Sequence, residues 1–144
     1  MSADKNNAPR EGSALFAYGT LTFDEVMVAV LGRAGPALDA TLEGFERRVI
    51  RGATYPGIAP RDGAEVRGRL WTGLSAAELA RLDNFEGSMY RREAVVVRTA
   101  DGPREAMAYV IRPPYRWMLT SHRWEPQTFR ARSLAAYVER ARDG

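Results

Sequence analysis

The stretch "ALFAYGTL" (Ala14–Leu21), running into "TFDEVMVAVLGRAG" (22–35), decides how this chain is read. Three apolar residues and an aromatic make a buried strand, which ends on Tyr18-Gly19-Thr20-Leu21. The chain then restarts as a short helix with Val26, Val30 and Leu31 on one face, and Gly32 and Gly35 mark its exit. A tight turn accounts for the ending. A turn that leaves backbone N–H groups free to hold a ligand also accounts for it.

Working outward, "ATLEGFERRVIRG" (40–52) and "AEVRGRLWTG" (64–73) alternate as half-buried strands. Between them "TYPGIAPRDG" (54–63) reads as a short strand bounded by turns. "LSAAELARLDNFEG" (74–87) is the clearest helix: Ser75 and Glu78 form a capping box, and Leu79, Leu82 and Phe85 give its apolar face. Gly87 closes it. "YRREAVVVRT" (90–99) and "EAMAYVIR" (105–112) form a hairpin across Asp101-Gly102-Pro103. "EPQTFRARSLAAYVERAR" (125–142) reads as one helix with Pro126 in its first turn. Strands outnumber helices, so the expected architecture is α+β: a small, mixed, largely antiparallel and curled sheet with helices packed outside it. The expected organisation is a polar leader over residues 1–13 and a single domain over 14–142.

Composition narrows the function classes. The chain has 144 residues, 45% hydrophobic and 27% charged, which is ordinary for a globular domain. It has no cysteine, hence no disulfide, no thiolate nucleophile and no cysteine-bound metal. No apolar run approaches a membrane span, and the expected location is the cytoplasm. The net charge of +3 is carried almost wholly by arginine, since Lys5 is the sole lysine. The late arginines (Arg112, Arg116, Arg123, Arg130, Arg132, Arg140, Arg142) read as a solvated helix surface, with a face for an anionic partner as the less favoured alternative. No RNP-like strand or zinc-finger spacing supports nucleic acid, so no nucleic-acid partner is expected.

A Ser–His–Asp triad requires His122, the one histidine, which sits in "LTSHRWEP" with no G-x-S-x-G element in the chain. One histidine and no D-x-D loop offer no metal site, and no Gly-rich phosphate loop is present. Neither metal nor cofactor is expected. What remains is Glu86, at the end of the helix "AELARLDNFE". A carboxylate there opposes the helix macrodipole, which favours its protonated form and suits a general base or acid. The alternative is an exposed glutamate paired with Arg91 or Arg92, and helix-end physics alone favours that alternative.

The segments "FAYGTL", "YPGI", "VRGRLW", "LDNFEGSMYRREAVVV" and "AMAYVI" occur in the order seen in γ-glutamylcyclotransferase-like proteins. The sequence resembles their γ-glutamylamine cyclotransferase branch, also grouped as avirulence-induced-gene-like proteins, over about residues 14–112. "W-E-P-x-x-F" and the following helix resemble the plant and bacterial tails. The resemblance implies a small closed or nearly closed β-barrel with flanking helices. It also implies a pocket in which Tyr18, Gly19, Thr20 and Leu21 bind the α-carboxylate end of a γ-glutamyl substrate, with Glu86 as proton acceptor. The implied reaction is attack of the substrate's α-amino group on its own γ-carbonyl, giving 5-oxoproline and a free amine. The nucleophile is then in the substrate, in keeping with a chain that has no cysteine.

Tyr90 and Arg92 match the family's Y-x-R, although a tyrosine at a strand start more often packs than catalyses, and Tyr109 is a further candidate for the pocket that core placement suits equally well. Trp71, Trp117 and Trp124 are expected in the core or on a lid. "RPPYRWMLTSHRWEP" (112–126), loop-like and aromatic, is where selection of the leaving amine is expected. The expected partner is a small γ-glutamyl molecule, and the expected assembly is a monomer or weak homodimer. A non-catalytic binding module on the same scaffold is the alternative, and the presence of Glu86 argues against it.

Overall fold

The computed structural model describes residues 13–143. The expected leader lies outside the described residues except for Ser13, which opens the first strand.

Six strands form one sheet: β1 (Ser13–Ala17), β2 (Ala37–Ile50), β3 (Pro56–Leu74), β4 (Tyr90–Thr99), β5 (Gly102–Ile111) and β6 (Leu119–Arg123). Their order is β3-β1-β5-β4-β2, and a further pairing of β2 with β3 closes the ring, with β6 added on β2. Among the described residues only β1 and β5 run parallel; every other pairing is antiparallel. Closure removes the free edges that an open sheet would expose. The helices are α1 (Asp24–Leu31), α2 (Ala76–Glu86), α3 (Pro126–Arg132) and α4 (Leu134–Asp143). Among the described residues no helix is long and apolar enough to cross a membrane.

Strand β1 shows why its sequence is apolar on both faces. Phe16 joins a cluster inside the ring with Leu42, Ile58, Leu70, Val97 and Val110, while Leu15 and Ala17 pack toward α1 and α2 with Val26, Met27 and Leu82. Strand β3 lies hard against it at Gly68, where a Cβ would stand 2.1 Å from the Ala17 carbonyl oxygen and 2.9 Å from the Phe16 ring. The glycine of "VRGRLW" is therefore a close-packing residue.

The structure departs from the sequence reading at three places. "TYPGIAPRDG" is not a separate short strand: β3 runs 19 residues through it. The turn residues sit in a bulge, because Phe45 pairs Pro60 and Glu43 pairs Glu65, leaving Arg61–Ala64 opposite Gly44. Segment 112–126 is not a loop, since it holds a 3-10 turn (Pro113–Met118) and β6. The last helix is broken at Ser133 into α3 and α4.

Candidate functional site

The end of β1 is held by its carbonyls. Arg47 Nη1 donates to the Tyr18 oxygen (2.8 Å), Thr22 Oγ1 to Gly19 (2.5 Å) and Trp71 Nε1 to Leu21 (2.9 Å). The Phe23 amide donates to Thr20 (3.2 Å), and Arg69 Nη1 to Thr22 (2.9 Å). Every carbonyl from Tyr18 to Thr22 thus faces a donor of the protein. The amides of Gly19, Thr20 and Leu21 donate to no group among the described residues. Such a turn offers consecutive N–H groups to an anion.

Gly19 has a second reason to be glycine. A Cβ there would stand 2.9 Å from Pro56 Cγ, so the turn packs directly on the proline of "YPGI". Pro56 is fixed in turn by the Tyr90 hydroxyl, which donates to its carbonyl at 2.8 Å.

Helix α2 delivers Glu86 to the same place. Ser75 and Glu78 cap its start reciprocally, and Gly87, at φ 85°, ends it. One turn before the end, Asp83 ties the helix to the sheet. It meets Arg92 Nε at 3.1 Å and accepts from the Tyr109 hydroxyl at 2.6 Å. These contacts join three stretches of the sequence: the aspartate of "LDNFE" is clamped by the arginine of "YRR" and the tyrosine of "AMAYVI". Glu86 itself pairs with neither Arg91, which meets Glu93, nor Arg92. Its carboxyl has no hydrogen-bond or ion-pair partner among the described residues.

Glu86 lines a cavity of about 160 Å³ with Tyr18, Gly19, Thr20, Leu21, Tyr90 and Tyr109. All the site residues expected from the sequence therefore line a single cavity. Tyr55, Pro56, Phe85, Met89 and Tyr137 complete its wall. The cavity has room for a small organic group but not for a folded partner. Burial pushes the Glu86 carboxyl up to about 8. The cause is desolvation, rather than the helix-end dipole argued from the sequence. Burial likewise raises the hydroxyls of Tyr18, Tyr90 and Tyr109 above their ordinary value.

Sequence reasoning missed Tyr137 and Tyr55. Tyr137 packs with Phe129 and Leu134, and its hydroxyl is the one mark in the sequence that sets it apart from them. Segment 112–126 lines no part of this cavity. His122 is exposed on β6. Trp71 and Trp124 are buried, and Trp117 is exposed. Among the described residues no group of acidic and histidine side chains is placed to hold a metal ion.

Residues 15–126 match the family described as gamma-glutamyl cyclotransferase, AIG2-like. AIG2-like protein D of Arabidopsis thaliana is 37% identical over 94 residues, covering 65% of this chain and 62% of that protein. The match thus spans about three fifths of that relative's length. A solution structure from Arabidopsis thaliana superposes with a TM-score of 0.70 at 26% identity, over 97% of this chain and 92% of the other. A structure named gamma-glutamyl cyclotransferase shares the fold with a TM-score of 0.65 at 21% identity, over 90% of this chain and 86% of its own.

Proposed function

Since the chain belongs to the gamma-glutamyl cyclotransferase, AIG2-like family, we propose that it cyclises the γ-glutamyl group of a small γ-glutamyl amine or amide to 5-oxoproline. The observation that carries this reading is the Glu86 carboxyl, drawn away from water on a half-buried residue and without a partner among the described residues, in the same cavity as the open turn amides. An unpaired buried carboxyl is costly, and it survives where a ligand supplies its partner.

The parts divide the work as follows. The amides of Gly19, Thr20 and Leu21 take the substrate's α-carboxylate, with Tyr18 holding the strand end from which they project. Tyr18 does so through its hydroxyl, which donates to the Tyr109 carbonyl at 2.6 Å. The α-ammonium then lies toward Glu86. A carboxyl pushed up to about 8 is a stronger base than an ordinary carboxylate, so it takes the α-ammonium proton at a smaller free-energy cost. The freed amine attacks the γ-carbonyl carbon. The bond to the leaving nitrogen breaks as Glu86 returns the proton to it, and the ionised Glu86 then takes the second proton from the ring nitrogen and passes it to the released amine, which departs as an ammonium. Holding both ends of the chain folds it toward the five-membered ring, which converts binding into rate. Tyr90 and Tyr109 shape the cavity and hold Pro56 and Asp83 in place.

The test is release of 5-oxoproline from a panel of γ-glutamyl amines and γ-glutamyl amino acids by the purified chain. Turnover of at least one member is the expected outcome. Binding of the panel with no release favours the non-catalytic module instead.

A further inference from the structure

The family match ends at residue 126, yet the cavity does not. Tyr137, on α4, forms part of its wall, and Thr20 Oγ1 of the turn donates to the Tyr137 hydroxyl oxygen at 3.2 Å. The Tyr137 ring is boxed edge-on by Phe129 (5.5 Å between centroids), Phe85 (6.1 Å) and Tyr55 (6.4 Å). It is therefore both anchored at its oxygen and fixed in its plane.

Its proton is what sets it apart. The hydroxyl protons of Tyr18, Tyr90 and Tyr109 are occupied by the Tyr109 carbonyl, the Pro56 carbonyl and Asp83. Tyr137 accepts from Thr20 and donates to nothing among the described residues. Tyr55 also lines the cavity with no acceptor among the described residues, but no bond ties its oxygen to the turn. The Tyr137 hydroxyl is thus a positioned donor with its proton uncommitted, on the wall of the cavity that the turn and Glu86 also line.

We infer that Tyr137 is a further catalytic residue, donating a hydrogen bond to the γ-carbonyl oxygen of the substrate as that oxygen gains negative charge. This rests on the cyclotransferase reading given above. In that reading the turn amides hold the α-carboxylate, and Glu86 serves the two nitrogens bonded to the γ-carbon in turn. The group left between them is the γ-carbonyl. As the amine nitrogen forms its bond to the γ-carbon, the carbonyl electron pair moves onto oxygen, where Tyr137 stabilises it. The pair returns when the bond to the leaving nitrogen breaks and that nitrogen takes the proton from Glu86. Tyr137 transfers no proton. Burial raises its hydroxyl to about 12, so it remains a neutral donor throughout the working pH range. A preorganised donor of this kind acts on charge that develops in the transition state, so its loss lowers kcat more than it changes KM.

The experiment compares Tyr137→Phe, Tyr55→Phe and Glu86→Gln with the parent in 5-oxoproline release, alongside melting temperature. For Tyr137→Phe, kcat should fall by about 10²–10³-fold with KM near the parent value and melting close to the parent. Tyr55→Phe should lose less than Tyr137→Phe. Parental kcat in Tyr137→Phe while Glu86→Gln is inactive overturns this assignment and leaves the cyclotransferase reading standing. So does a loss confined to KM, or a larger loss in Tyr55→Phe. A parent chain that releases no 5-oxoproline from any panel member overturns both.

Discussion

The two ends of α2 carry the same residue type in opposite states. At the start, Glu78 accepts from the Ser75 amide at 3.0 Å and from Arg33 Nε and Nη2, each at 2.7 Å. Its carboxyl is held down to about 2, chiefly by the Arg33 hydrogen bonds. At the other end, Glu86 has no partner among the described residues and is pushed up to about 8 by burial. Eight positions apart on one helix, one glutamate is satisfied by the fold and the other is left for something the fold does not contain. Both lose water by burial, so burial alone does not mark a functional group. The absence of a compensating partner does.

Replacing Glu86 by Gln breaks the contrast at its functional end and has the largest expected effect. The amide keeps the shape but accepts no proton, so turnover should fall by about 10²–10⁴-fold. Its stability signature has a definite sign. A carboxyl raised from 4.5 to about 8 on folding contributes stability that is present in full below about 4.5 and lost as pH rises through about 8. The parent should therefore melt progressively lower across that window, while Glu86→Gln lacks this slope. The variant should match the parent near pH 4.5 and melt higher at pH 9. A variant that melts lower at pH 9 assigns Glu86 a structural role. In the parent, kcat/KM should rise with pH toward about 8, because only the ionised carboxyl accepts the proton.

How much of this was legible depended on how local each signal was. The turn at Tyr18–Leu21, the Ser75–Glu78 cap and the Gly87 stop were readable because each is set by neighbours within a few residues. The bulge in β3 was not. Pro60 and Asp62-Gly63 carry real turn chemistry, with Gly63 at φ 82°, but pairing with β2 resumes beyond it and absorbs the turn into one strand. Strand β6 was hidden because its mostly polar residues sit at the margin of the sheet and pair only with the end of β2. In the site, Glu86 was found by position, but the cause of its raised pKa needed the surrounding cavity. Tyr137 and the Asp83 clamp become visible only when residues distant in sequence meet: Thr20 with Tyr137, and Asp83 with Arg92 and Tyr109. The resemblance supplied roles for the motifs; the structure supplies the contacts between them.

A second variant sharpens the contrast by loosening the functional end without touching the cavity. Arg92 does not line it, but fixes Asp83, one turn before Glu86. In Arg92→Ala, Asp83 keeps only the Tyr109 hydroxyl and the helix end gains freedom. A displacement well under 1 Å at Glu86 should cost about tenfold in kcat/KM, since rate falls steeply with misplacement. The pH at which activity rises should stay near that of the parent, because Arg92 is not a cause of the Glu86 shift. Full parental activity would show that the clamp is not needed to position the base.

The smallest expected effect lies at the satisfied end. Glu78→Gln retains an oxygen to accept from the Ser75 amide but loses its charge toward Arg33, whose side chain is 43% exposed. Solvent screening limits such a pair to about 0.2–1 kcal/mol, so melting at neutral pH should drop by only a few degrees. Activity should not change, because nothing at Ser75 reaches the cavity. The pH dependence should run opposite to that of Glu86. A carboxyl lowered from 4.5 to about 2 contributes stability that is present above about 4.5 and lost as pH falls through about 2. The gap between parent and Glu78→Gln should thus close on acidification, whereas the gap between parent and Glu86→Gln opens as pH rises. Thermal melts of the two single variants across pH 2–9 resolve both slopes. If the Glu78 gap persists at pH 2, the lost stability comes from the cap geometry and not from the ion pair.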